Sequence, residues 1–144
     1  MKKILVSACL LGAACRYDGR SKTYPQIDAL RGKCELIPFC PEEAGGLPTP
    51  RVPAEITKQG VFTRDGRDVT KAYRRGAQKA LALARKEKAD FAILKSKSPS
   101  CGKNEVYDGS FSGVLTAGQG ITAALFSENE IPVFTEEEIE KIPL

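Results

Sequence analysis

The sequence predicts an α/β fold, a mostly parallel sheet with helices packed on both faces, and three observations carry that prediction. Four short runs, residues 3–8, 35–39, 91–95 and 132–135, are apolar enough to be strands buried on both sides. A long segment between the second and third runs carries an apolar stripe at helical spacing. Helical segments also follow the third and fourth runs. Strands alternating with helices imply a parallel sheet with right-handed crossovers, a Rossmann-like layout.

Each element has its own justification. Residues 3–8 end one position before Cys9, and residues 35–39 end one position before Cys40. The segment 41–60 is so rich in Pro and Gly that it reads as a long irregular loop, a class that is usually functional in small domains. Over residues 69–88 the side chains Ala72, Tyr73, Gly76, Ala77, Ala80, Leu81 and Ala84 form one face of a helix, with Asp68 or Thr70 as its N-cap. A second helix is expected over 121–127, entered through Gly118-Gln-Gly120. Thr135 ahead of Glu136, Glu137 and Glu138 reads as the capped start of a short third helix. There is no internal repeat, and 144 residues suit one domain spanning 1–144.

Composition excludes more than it identifies. With 42% hydrophobic and 28% charged residues the chain is an ordinary globular sequence. Its net charge of +4 is uneven: residues 71–103 hold ten basic and two acidic residues, and residues 128–140 hold six glutamates and no base. A basic run on a helix is ordinarily its solvated face, so nucleic-acid binding is a minor expectation. Residues 2–14 resemble a secretory signal, yet cleavage before Cys9 would leave too short an apolar region. No stretch reaches the roughly 18 apolar residues of a membrane span. Five cysteines at scattered spacing do not resemble a secreted disulfide framework, so reduced thiols in the cytoplasm are expected.

No histidine occurs anywhere, which removes the commonest general base and the commonest zinc ligand. Any site must use Cys, carboxylates, Lys, Ser and Tyr. Cys9, Cys40 and Cys101 each lie just past the C-terminal end of an expected strand. In open parallel sheets the loops from those ends converge on the ligand crevice. Three soft thiolates without histidine suit an iron-sulfur cluster or zinc, and three ligands leave one position open for chemistry. Cys34 precedes its strand at the opposite edge and reads as structural. Cys15 has three readings, a fourth ligand, a redox partner or a bystander, and we favour the last.

Groups suited to such a site flank the cysteines. Glu42 lies two residues after Cys40, where a water-poor surrounding would raise its pKa and let it shuttle a proton. Ser98 and Ser100 lie beside Cys101, although turn formation around Pro99 also explains them. Arg16, Arg51 and Lys95 are candidates to orient a polar substrate. Gly118-Gln-Gly120-Ile-Thr-Ala123 fits the dinucleotide fingerprint only superficially, because no convincing strand leads into it. Gly19-Arg-Ser-Lys-Thr23 lacks the adjacent Gly-Lys and the helix of a phosphate loop.

An ordered set of motifs spans nearly the whole chain: Ser7-Ala-Cys-Leu-Leu-Gly12, Arg16-Tyr-Asp-Gly19, Cys40-Pro-Glu42, Gly45-Gly-Leu-Pro48, Pro50-Arg51, Pro53-Ala-Glu55, Asp68-Val-Thr70, Ser98-Pro-Ser-Cys-Gly102 and Tyr107-Asp-Gly109. In this the sequence resembles the domain of unknown function 523 family, which includes thiouracil desulfidases. The resemblance implies a 4Fe-4S cluster held by Cys9, Cys40 and Cys101, with one iron not ligated by cysteine. It further implies non-redox hydrolytic desulfuration of a small thiolated pyrimidine such as 2-thiouracil, with Glu42 managing protons and Ser98 hydrogen-bonding the substrate. Some members carry an additional C-terminal domain, and this length suits the core domain alone. The alternative expectation is a metal-binding or thiol-redox protein without hydrolytic activity, switching through Cys9 and Cys15.

Overall fold

In the computed structural model, which describes residues Met1–Leu144, the first apolar run forms β1 (Lys2–Ser7). The chain returns through α1 (Pro25–Asp28) and a 3-10 turn (Ala29–Gly32) to β2 (Cys34–Phe39), which is followed at once by α2 (Pro41–Ala44). A hairpin of β3 (Ala54–Thr57) and β4 (Gly60–Thr63) leads to the long α3 (Thr70–Glu87) and then β5 (Phe91–Ile93). A second hairpin, β6 (Glu105–Tyr107) and β7 (Leu115–Ala117), precedes α4 (Ile121–Glu128) and β8 (Val133–Phe134).

β1, β2, β5 and β8 form one parallel sheet in the order β2-β1-β5-β8, with Leu5 opposite Ile37 on one side and Ala92 on the other. The chain therefore builds outward from β1 in one direction and then crosses to build in the other. At such a reversal the loops leaving β1 and β5 diverge and open a crevice at their C-terminal ends.

Alternation along the strands divides the core into two layers. Leu5, Ala92 and Val133 pack with Ala80, Leu81 and Ala84 of α3 and with Ala123 and Phe126 of α4. Ile4, Val6, Phe91 and Ile93 point to the other face, where short helical pieces supply Ile27, Leu30 and Ile142. Helices thus cover both faces, the long ones on one side only. No helix is long and apolar enough to cross a membrane.

The buried stripe of α3 consists of Tyr73, Gly76, Ala77, Ala80, Leu81 and Ala84. Its small residues let the α2 turn approach at backbone distance: a Cβ on Gly76 would lie 1.8 Å from the Pro41 carbonyl oxygen, and one on Gly45 would lie 2.0 Å from that of Ala72. Both neighbours are backbone and cannot rotate away. Gly76→Ala is therefore expected to destabilise the fold by about 3 kcal/mol, despite alanine's higher helix propensity, because the overlap forces backbone shifts. An unchanged urea midpoint would contradict this packing. Several basic side chains of α3 act as local struts: Arg75 and Lys79 donate to the carbonyls of Gly45 and Ala44, each at 3.1 Å.

The structure corrects four expectations. Residues 41–60 are not irregular throughout: they contain α2, β3 and the turn of a hairpin. Its Lys58-Gln59 connection lacks the usual Asn-Gly signal, and the surrounding prolines mask the alternation. The acidic segment after Thr135 forms only a 3-10 turn (Ile139–Lys141), because the Thr135 and Glu138 groups bond each other locally. Helix α3 begins after Val69 with no side-chain cap, although the Asp68 carboxylate accepts the Thr70 N–H at 2.9 Å. Finally, β7 does lead into Gly118, but it belongs to an antiparallel hairpin and not to a βαβ unit.

Candidate metal centre and active site

β1 ends at Ser7 and the chain coils through a 3-10 turn (Ala8–Leu11) closed by Gly12 at φ +92°. That turn holds Cys9 half-buried at the sheet edge. β2 ends at Phe39, and Cys40 takes the extended position before α2, where Pro41 occupies the first helical residue. Beyond β5 the loop folds back so that Cys101 is buried. All three cysteines line one cavity of about 410 Å³, together with Glu42 and Ser98.

The cavity wall is hydrogen-bonded from both sides. Ser7 donates its hydroxyl to the Cys101 sulfur at 3.4 Å and accepts the Lys95 N–H at 3.0 Å, which ties the end of β1 to the end of β5. The Ser98 hydroxyl oxygen accepts the N–H groups of Ser100 and Cys101, both at 3.0 Å. Its lone pairs shape the loop, and its proton has no protein acceptor, so Ser98 serves the turn and keeps a donor for a ligand. Ser100, fully buried, pairs with Thr122 of α4 at 2.8 Å. A Cβ on Gly120 would lie 2.4 Å from the Ser100 carbonyl carbon, which gives the glycine a packing reason independent of any dinucleotide.

Glu42, on the first turn of α2, has one oxygen bonded by the Tyr73 hydroxyl and the other 3.4 Å from the Arg51 guanidinium. The Arg51 side chain is only 6% exposed, so this is a buried pair. Burial works against the Arg51 charge, but the adjacent Glu42 carboxylate outweighs it and holds the guanidinium pKa above its ordinary value. Burial and the Glu42 charge raise the Tyr73 phenol, which therefore stays a donor. Arg51 also donates to the Cys15 carbonyl at 2.9 Å and to the Pro48 carbonyl at 3.1 Å. Expected to orient substrate, Arg51 instead braces Glu42 from behind.

Cys15 lies inside the site. It is buried, lines the same cavity, and its sulfur, the Cys40 sulfur and a Glu43 oxygen lie within 4.8 Å of one another. It is a close neighbour of Cys40 inside the site. Its contact with Cys40 lowers the thiol pKa, while its contact with Cys9 and its burial raise it, for a net rise to about 11. Hydrogen bonding to Cys15 and then burial push Cys40 upward as well. Cys101 is pushed up to about 12, first by burial and then by the Glu42 charge, against the lowering bond from Ser7. A metal bound by these thiols must displace their protons, so its binding strengthens as pH rises. Cys34 is buried in the Ile4 layer, away from the cavity.

Arg16 and Lys95 do line the cavity. Lys95 is occupied by Glu136 at 3.0 Å, and Glu136 also accepts the Ser96 N–H and hydroxyl, both at 2.9 Å. Burial raises the Glu136 pKa, but the Ser96 N–H and Lys95 lower it further, leaving it below the ordinary 4.5. Glu138 is held below the same value, with burial opposed by Lys103 at 2.9 Å. A depressed carboxylate stabilises the fold above its unfolded pKa and loses that contribution as pH falls through its folded value. The urea midpoint is thus expected to drop as pH falls below the ordinary 4.5, and Glu136→Gln to flatten part of that drop.

Tyr73, Ser7 and Glu55 make contacts that no local pattern marks, although Ser7 and Glu55 stand within the family motifs. Tyr73 was absorbed into an apolar stripe, although a tyrosine there carries a hydroxyl that needs a partner. Glu55 reaches from β3 to the second hairpin, a pairing with no signature along the chain.

Comparison with known proteins agrees with this architecture. Residues 4–138 match the family model described as 2-thiouracil desulfurase. The uncharacterized protein YbbK of Bacillus subtilis strain 168 is 42% identical over 149 residues, covering 96% of this chain and 99% of that protein. A solved structure described as the 4Fe-4S-dependent thiouracil desulfidase TudS superposes with a TM-score of 0.93 at 48% identity, covering 98% of this chain and 95% of that one. The match of the family model over nearly the whole length, on a fold shared with TudS, places the chain in the 2-thiouracil desulfurase family.

Proposed function

We propose that the protein is a 4Fe-4S-dependent desulfidase that converts a thiolated pyrimidine such as 2-thiouracil, with water, into the oxo compound and hydrogen sulfide. Cys9, Cys40 and Cys101 are the proposed ligands, leaving one iron without a cysteine. The observation that carries the reading is the convergence of these thiols with Glu42 and Ser98 on one cavity. The donor set fits the cluster: it is all sulfur, without histidine, and it closes a cavity with room for a small ring. When bound, such a cluster supplies a Lewis-acidic iron suited to the thiocarbonyl sulfur.

The remaining chemistry belongs to the chain. Glu42 takes one proton from the attacking water as the C–O bond forms and passes it to the sulfur, then moves the second from the new C–OH as the C=O bond forms and the C–S bond breaks, so both protons leave as hydrogen sulfide and no electrons are exchanged. Tyr73 and Arg51 fix the carboxylate's orientation from the side away from substrate. Ser98 donates its free hydroxyl proton to the ring or to the developing oxygen.

Anaerobic reconstitution with iron and sulfide, followed by incubation with 2-thiouracil, tests the reading. Uracil and sulfide are expected in equal amounts. Failure to incorporate iron, or incorporation without product, would overturn it. The second reading, a metal-binding or thiol-redox protein, draws on the proximity of Cys15, Cys40 and Glu43. It requires thiol chemistry that is indifferent to Glu42→Ala.

A further inference from the structure

The outer wall of the cavity is built from the two antiparallel hairpins, and one aromatic residue there is held in an unfavourable backbone conformation. Phe111, between β6 and β7, sits at φ +57°, in the left-handed region that a bulky side chain rarely adopts. Glu55 of β3 holds it there: one carboxylate oxygen accepts the Gly109 N–H at 3.0 Å and the Phe111 N–H at 3.2 Å. Gly109, at φ +93°, passes so close to β3 that an added Cβ would lie 2.7 Å from the Ile56 carbonyl oxygen. The Arg64 guanidinium sits over the Phe111 ring, 5.9 Å from its centroid.

Packing does not explain this arrangement. Phe111 belongs to neither core layer and is only half-buried. It lines the same cavity as Cys9, Cys40 and Cys101, as do Glu55 and Arg64. Tyr17 and Tyr107 also border the cavity, but both are exposed and neither has a left-handed backbone. The carboxylate fixes the backbone that carries the ring, and the ring and the Arg64 cation set against it both belong to the cavity wall.

We infer that Phe111 is the stacking wall for a flat heteroaromatic thioamide, with Glu55 as the positioning residue that sets the ring. The identity of that ligand rests on the desulfuration reading. Ring recognition through Phe111 would let the site distinguish a thiolated base from a small thioamide bearing the same C=S group, since every nucleobase offers a π-face.

Equilibrium binding of 2-thiouracil and of thioacetamide to the reconstituted protein tests the inference. Phe111→Ala is expected to weaken 2-thiouracil binding about fivefold or more, the low end for loss of a base-aromatic stack. Thioacetamide binding should be weak and equal in both proteins, and Phe111→Tyr should retain ring binding. Glu55→Ala should reproduce the Phe111→Ala loss, and Glu55→Gln should rescue it, because an amide oxygen accepts the same two N–H groups. Unchanged 2-thiouracil affinity in Phe111→Ala, an equal loss for both ligands, or no binding by the unaltered protein would overturn the inference. Phe111-dependent binding without release of uracil and sulfide would uphold it and count against the desulfuration reading alone.

Discussion

Glu42→Gln is expected to lower the rate of 2-thiouracil desulfuration on the order of 10²–10⁴-fold while iron and sulfide content stay at the unaltered level. Glutamine keeps the shape of the side chain and an oxygen for the Tyr73 hydroxyl, but it cannot take a proton from water. In a chain without histidine no neighbour replaces it: Glu55 is the other carboxylate lining the cavity, and its bonds run to the second hairpin. The same substitution leaves the Arg51 guanidinium buried without its charge partner, so the fold is expected to lose about 3 kcal/mol. Rate and stability must therefore be measured on the same preparation. A turnover rate close to that of the unaltered protein in a folded, cluster-loaded Glu42→Gln variant would remove Glu42 from the mechanism.

Cys101→Ser is expected to abolish cluster retention. The Cys101 sulfur is buried against Ser7, in a cavity whose other donors come from different strand ends. A hydroxyl in its place is a hard, weakly acidic ligand unsuited to iron held by thiolates. The reconstituted variant should lack the visible absorption of an iron-sulfur centre and contain no bound iron after desalting. Cys34→Ala, altered in the core of the opposite layer, should retain the full complement. The informative comparison is Cys15→Ala. Retention of the cluster there, with loss in Cys9, Cys40 and Cys101 variants, is what the proposed ligand set requires. Loss in Cys15→Ala would make Cys15 a ligand and close the open coordination position on which the desulfuration reading depends.

The unequal success of the sequence reading follows from what each element depends on. β1, β2, β5 and α3 were legible because continuous apolar runs and a stripe at helical spacing are local signals. The two hairpins were not, since β3 to β4 and β6 to β7 are short, partly exposed and surrounded by Pro and Gly. Without them the outer wall of the cavity, and the contact by which Glu55 holds the Phe111 loop, has no signal along the chain. The place of Cys15 inside the cavity is hidden for a related reason. Its distance from Cys9 along the chain says nothing about the turn that carries it back toward Cys40.

By itself the sequence determined the sheet, its helical cover and the placement of Cys9, Cys40 and Cys101 after successive strand ends, because strand periodicity and parallel topology together fix where those loops emerge. Tertiary structure alone decided which polar groups meet there. Tyr73 and Arg51 reach Glu42 from 31 and 9 residues away along the chain, and Glu55 holds a loop 54 to 56 residues distant. Such contacts are set by how the small residues of α3 let α2 approach and by how one hairpin lies on the other. No local pattern encodes that packing.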